Sequence, residues 1–334
     1  MYAQHDVIWA APITLAMIKF YLWIDFVGSV FGILSNIVLL TAIFRSSHQK
    51  LQAYSFMFLF PACYDIAYSI LELSIQHLIT VENQRLFVMP HGIEQLMPES
   101  KYIIFGIHSF LAVNAMLILP CQYKFRYDIL RDPHTSTKNL INYVGIATIV
   151  GSLCGCNCAW MAYEQQQRPS SYYMKILQEK QVEGREFFMY GADMQDLSTK
   201  IFYCGLGLVT SNVAIGLCIF YAWKSYKFVQ VPEQPISRHT RSLQRNFSIG
   251  LVVQTINSFI FAISPISCLM LSMVFGIKLV GLATMLSVSY LPVVNATFTI
   301  IIIRNYRLYV MSFFRTPSSE VAHMSTSTNR ISIQ

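Results

Sequence analysis

LVGLATMLSVSYLPVVNATFTIIII, residues 279–303, runs for 25 positions without one Asp, Glu, Lys or Arg. A helix rises about 1.5 Å per residue and a bilayer's hydrocarbon is roughly 30 Å thick, so about 20 such residues suffice to cross it. Working outward from this run, six further stretches qualify, at about 20–44, 54–80, 102–123, 140–162, 201–223 and 248–274. Polar segments separate them, except for a very tight link at Gly276 to Lys278 before the last. The second stretch is the least uniform, because it carries Asp65 and Glu72.

The composition agrees with this count. The 334 residues are 54% hydrophobic and only 12% charged, with a mean hydropathy of +0.46. Soluble domains carry about 25% charged residues. Disorder, collagen-like repeats and soluble enzyme folds are therefore disfavoured, and the expected fold class is an all-α membrane protein, a seven-transmembrane helix bundle. The expected organisation is an extracellular N-terminus at 1–19, a seven-helix domain with an interfacial C-terminal helix at 20–315, and a disordered cytoplasmic tail at 316–334.

Charge placement orients the bundle, because cytoplasmic loops retain Lys and Arg during insertion. The first, third and fifth linkers and the C-terminal segment hold fifteen basic residues against four acids; the opposite side holds nine against ten. That asymmetry predicts the N-terminus outside and the C-terminus in the cytoplasm. The net charge of +7 is then a topology signal, not a nucleic-acid footprint. Residues 1–19 lack the pattern of a cleavable signal, so the first span is expected to direct its own insertion.

No phosphate-binding glycine loop, metalloprotease motif or nucleophile elbow is present, so no enzyme is expected. Cys154, Cys156 and Cys158 have the look of a metal motif, but residues two apart on a helix point about 200° from each other. Only Cys154 and Cys158 share a face, which favours packing over a site, and no cofactor is expected.

Polar groups inside a membrane are costly, and two sets stand out. Asn36, Asp65 and Asn295 fall at similar depth and are expected to meet as a switch network or as packing glue between helices. Glu72, Gln76 and His77 form a second set in the outer half of span two, with Glu72 and Gln76 on one helix face. His108 and Asn114 in span three and Ser264 in span six join them as pocket candidates, lined by Phe105, Phe261, Met270 and Met285; interior packing is the competing reading for each. Pro120, Pro265 and Pro292 sit within spans, where a missing backbone donor makes either a hinge or a fixed bend.

Several motifs have a familiar order. Span seven carries Leu291-Pro292-Val-Val-Asn295 and closes with Ile303-Arg304-Asn-Tyr306-Arg307. Span three closes with Pro120-Cys-Gln-Tyr-Lys-Phe125-Arg126-Tyr127, where rhodopsin-like receptors have Asp-Arg-Tyr. With Gly32-x-x-x-Asn36 in span one and Arg241-Ser-Leu243-Gln244-Arg245 leading to Gln254, the likeness covers about residues 20–315. The chain resembles the nematode seven-transmembrane chemoreceptors of the Str-type superfamily, near the delta class of serpentine receptors. It departs from rhodopsin-like receptors in lacking Asn-Pro-x-x-Tyr in span seven and a cysteine at the outer end of span three.

The resemblance implies a G-protein-coupled receptor in the plasma membrane of a sensory cilium, detecting a small volatile or soluble chemical. Pro292 belongs to the switch set by the same pattern. Coupling to a heterotrimeric G protein is expected at Arg126 and Tyr127, with Lys224, Lys227, Arg238, Arg241 and Arg245 lining the cleft. Retention of loop charge during insertion is the alternative for the basic residues. Tyr306, Leu308, Tyr309, Val310, Phe313 and Phe314, interleaved with Arg304, Arg307 and Arg315, suit an interfacial helix. Ser318, Ser319, Ser325, Thr326, Ser327 and Thr328 in the tail suit phosphorylation. The rival class is a seven-span ligand-gated channel of the insect chemoreceptor type, with its N-terminus inside; a transporter is third, and no internal repeat supports it.

Overall fold

The computed structural model describes residues 15–46, 52–82, 85–93, 100–132, 134–166, 190–193, 197–230, 238–275 and 280–314. Seven helices in it are long and apolar enough to cross a membrane. They belong to α1 (Leu15–Ser46), α2 (Gln52–Ile75), α3 (Lys101–Arg131), α4 (Thr137–Gln166), α5 (Leu197–Gln230), the pair α6 (Arg238–Ser258) and α7 (Ser264–Phe275), and α8 (Val280–Ile302). A short α9 (Arg304–Phe314) follows and packs back on α1 and α8.

The bundle is turned inside out relative to a soluble protein. Phe20, Trp23, Phe31, Ile149, Leu153 and Trp160 lie exposed on its outer surface, while Asp25, Asn36, Glu72, Asn114, Gln122 and Gln254 are buried. Lipid tails solvate the first set, and only neighbouring helices can satisfy the second. α3 is the hub: α2, α4, α5 and α6 all pack against it.

A three-stranded antiparallel sheet caps one end, which we call the sheet end. β1 (His77–Glu82) pairs with β2 (Arg85–Pro90), and β2 with β3 (Tyr190–Asp193). The second span was expected to run to residue 80, but the helix stops at Ile75. Gln76 adopts a left-handed φ of 46°, and the following His77-Leu-Ile-Thr-Val run has the β-branched content of a strand. Hydropathy alone does not separate a buried strand from the last turns of a helix.

Two glycines seat the hairpin. A Cβ at Gly92 would fall 2.0 Å from the Ser74 carbonyl oxygen, and one at Gly281 would fall 2.4 Å from that of Ile79. The Gly92 N–H donates to the Ile75 carbonyl at 3.0 Å, tying the hairpin's return to the end of α2.

The opposite, far end is longer than the apolar runs suggested. α3 continues to Arg131, α5 to Gln230, and α6 begins at Arg238. Apolar run length reports hydrocarbon thickness, whereas a helix can continue into water as long as its propensity allows. Arg126, Tyr127, Lys224 and Lys227 therefore ride on helical extensions and not on loops.

In the sixth span the residues before Pro265 form a π-helical segment, Phe259–Ile263. The Ser264 N–H reaches back to the Phe259 carbonyl, and Thr284 Oγ1 on α8 donates to the Pro265 carbonyl at 3.0 Å. The widened turn and the neighbouring hydroxyl absorb the irregularity that a proline imposes.

Candidate functional site

Just under the sheet, five elements converge on one buried polar cluster. Glu72 on α2 is fully buried, and its Oε2 lies 3.0 Å from His108 Nε2 on α3. The same ring nitrogen is 3.2 Å from the Tyr68 hydroxyl. On its other edge, His108 Nδ1 lies 3.0 Å from Nδ1 of His77, the first residue of β1. Tyr21 on α1 donates to the His77 carbonyl at 2.7 Å. Ser289 on α8 stands between two carboxylates, 2.5 Å from Asp25 Oδ1 and 3.4 Å from Glu72 Oε1.

Local sequence explains the convergence. Tyr21 and Asp25 are one turn apart on α1, as are Tyr68 and Glu72 on α2, so each pair projects from a single helix face. The break at Gln76 then folds His77 back over the end of the bundle, where the Phe105 ring meets its imidazole edge-on at 6.1 Å.

The sequence-derived pocket set divides on this geometry. Glu72, His77, Phe105 and His108 come together, and Met285, whose carbonyl lies 2.9 Å from Ser289 Oγ, borders them. Met270 packs in the apolar cluster beneath the sheet with Phe105 and Met285. Gln76 does not share the working face of Glu72. It leaves the helix at that residue, half-buried, with its N–H on the Glu72 carbonyl. Phe261 packs in a different cluster with Met116, Ile263 and Leu291, and Ser264 begins α7 after the π segment, half-buried. Asn114 lies deeper, donating at 3.0 Å to the Tyr64 hydroxyl, which in turn meets Thr148.

Sequence reasoning did not place Asp25, Tyr21, Tyr68 or Ser289 at a site. Asp25 carried a usable signal, since an acid inside a span demands a partner. Ser289 carried none, because serines are common wherever transmembrane helices pack closely.

Towards the middle of the bundle, Asp65 and Asn295 line a cavity of about 20 Å³ together with Tyr64, Gln122, Gln254 and Ser258. It has room for about one water molecule. Asn36 was expected to join Asp65 and Asn295, yet its amide donates to the Gly32 carbonyl at 2.9 Å and the Pro292 carbonyl at 3.1 Å. These two backbone carbonyls occupy the amide's donors.

At the far end Arg126 is buried and its guanidinium donates to the Ser248 hydroxyl, linking α3 to α6. Tyr127 packs on Tyr221 and Phe228, with Lys224 Nζ 5.5 Å from its ring centre. Lys227 lies over the Trp223 ring at 4.4 Å. The backbones of Arg238, Arg241 and Arg245 belong to α6, and their side chains lie outside the described residues. Residues 1–14 and 315–334, including the tail hydroxyls, lie outside them as well.

Cys154 and Cys158 are buried and Cys156 faces outward, as helical geometry requires. Among the described residues no group of three His, Cys, Asp or Glu side chains is arranged to hold a metal ion.

Seven apolar helices around an interior chain of polar contacts define a multi-pass membrane protein of the seven-helix class. Within that class, the family model for the serpentine type 7TM GPCR chemoreceptor Str matches residues 22–311, and the chain belongs to this family. Its role is accordingly that of a chemosensory receptor. No curated protein matches the chain.

Proposed function

We propose that this receptor binds a small odorant or soluble chemical from the sheet end and signals through a heterotrimeric G protein at the far end. Its N-terminus is then extracellular, its tail cytoplasmic, and its place the plasma membrane of a chemosensory cilium; the motif order puts it near the delta class. A ligand shifts the balance between two helix arrangements only by binding one of them better. The observation that supports this reading most directly is the contact of Arg126 with Ser248. It joins α3 to α6 at the end where Lys224 and Lys227 also gather. Parting α3 from α6 would release a buried guanidinium towards an acidic or helix-terminal surface of a G protein.

The first test is antibody access to an epitope at Met1, and separately after Gln334, on intact and permeabilised cells. The expected result is an exposed Met1 epitope and a hidden Gln334 epitope. A hidden Met1 epitope overturns the reading and turns attention to ligand-gated currents. With orientation established, chemicals are screened against G-protein activation, and Arg126→Ala is expected to abolish the response at unchanged surface level.

A further inference from the structure

The cluster under the sheet poses a problem of proton counting. The His77 and His108 rings face each other through their Nδ1 atoms at 3.0 Å. A hydrogen bond between two nitrogens holds one proton, donated by one ring and accepted by the other. His108 Nε2 meanwhile faces the Glu72 carboxylate at 3.0 Å, which calls for a second proton there. The ring pair therefore keeps its geometry with up to three ring protons. A fourth places two N–H groups head to head across 3.0 Å, and the rings must part.

The surroundings favour added positive charge. Asp25 and Glu72 are both buried here, and the single Ser289 hydroxyl proton serves only one of its acceptors at a time. Asp25 Oδ2 has no hydrogen-bond partner among the described residues. Among the described residues the other titratable groups facing the pair are Tyr21 from α1 and Tyr68 from α2; on α3, Lys101 is buried two turns nearer the sheet. With three ring protons the charged imidazole faces the Glu72 carboxylate and the two balance, so a fourth ring proton adds a positive charge on the side where Asp25 stands.

We propose that the proton is itself a ligand of this receptor: Asp25, Glu72, His77 and His108 form a proton-binding site whose filling separates His77 from His108 and loosens β1 from the end of the bundle. β1 is the element affected because His77 is its first residue; the Tyr21 bond to the His77 carbonyl, the burial of Leu78, Ile79 and Val81 and the close backbone contacts at Gly92 and Gly281 hold the rest of the hairpin. The test scans pH 8 to pH 5, the span in which imidazole ordinarily changes charge.

The proposal does not depend on the identity of the odorant or on G-protein coupling, and its test uses neither. Full-length receptor in lipid nanodiscs is followed by hydrogen–deuterium exchange between pH 8 and pH 5. Protection of amides 77–82 is compared at each pH with that of amides in the centre of α4, which cancels the intrinsic dependence of exchange on pH. The expected result is a selective loss of β1 protection on acidification; a ratio constant across the range overturns the proposal without any variant being made. His77→Gln and His108→Gln are each expected to remove the transition, whereas exposed His134→Gln leaves it intact. Asp25→Asn, which removes a carboxylate from beside the pair, is expected to move the midpoint to lower pH. A transition that persists in both cluster histidine variants, or a midpoint indifferent to Asp25→Asn, overturns the assignment to this site.

Discussion

Tyr21 shows how much of the sheet-end cluster rests on single polar atoms. Its hydroxyl donates to the His77 carbonyl at 2.7 Å and is the bond that ties α1 to the first residue of β1. Tyr21→Phe removes that donor while keeping the ring, and leaves a buried carbonyl short of a partner. The expected cost is about 1 kcal/mol, the usual worth of one such bond, read as a lowered thermal midpoint of purified receptor; an unchanged midpoint would show the bond to be inert. Glu72 carries more, because it faces His108 and Ser289 at once. Glu72→Ala takes from the buried His108 the carboxylate it faces and is expected to cost about 3 to 5 kcal/mol, enough to reduce the yield of folded receptor sharply. At this scale the sequence was informative wherever cost flagged the residue. Asp65, Glu72 and His108 stood out as polar groups in apolar runs, but which neighbour each would meet was not written in the run itself. Asn36 makes the point: its amide bonds Gly32 and Pro292 carbonyls, backbone atoms that no side-chain pattern announces.

Among the elements, α3 and α4 bring their backbones close together. A Cβ on Gly155 would lie 2.6 Å from the Gly106 carbonyl oxygen and 2.8 Å from the Phe110 Cβ. Small residues let transmembrane backbones approach this closely, since packing replaces the hydrophobic drive that lipid removes. Gly155→Leu is expected to force the two helices apart and to shift the receptor from its monodisperse peak in size-exclusion profiles into aggregate. Gly145, on the same helix, would meet nothing within 4 Å. Gly145→Ala is therefore expected to be neutral or slightly stabilising, and a loss as large as that of Gly155→Leu would refute the packing explanation. Helix existence was legible from apolar runs, but element type at the sheet end was not. Leu78, Ile79 and Val81 are buried in a strand, and the same residues would be equally apolar in a helix. What decides for the strand is pairing with Leu86 and Val88, which lie further along the chain and enter only once it has folded back.

For the whole molecule, lipid sets the pattern. Ile149, near the middle of α4, is 64% exposed, on the surface that faces hydrocarbon. Ile149→Arg is expected to raise the insertion free energy of that helix by about 3 to 4 kcal/mol, measurable by the share of chains that insert the span in a glycosylation-mapping assay. Equal insertion of variant and parent would argue that this face is covered by protein. Sequence alone determined the number of spans, the exclusion of soluble classes, the motif order that resembles the Str chemoreceptors, and the gathering of basic residues at alternate linkers. These follow from one-dimensional quantities: apolar run length against bilayer thickness, and local charge. The tertiary structure decided what depends on distances between runs. It brought Asp25 and Ser289, more than 260 positions apart in sequence, to 2.5 Å. It also folded His77 out of its span and onto His108, and it closed Arg126 on Ser248. The reason is physical. In a membrane interior without water, each buried polar group takes whatever partner the packing of helices delivers, and that packing is set by shape across the bundle and not by spacing along the chain.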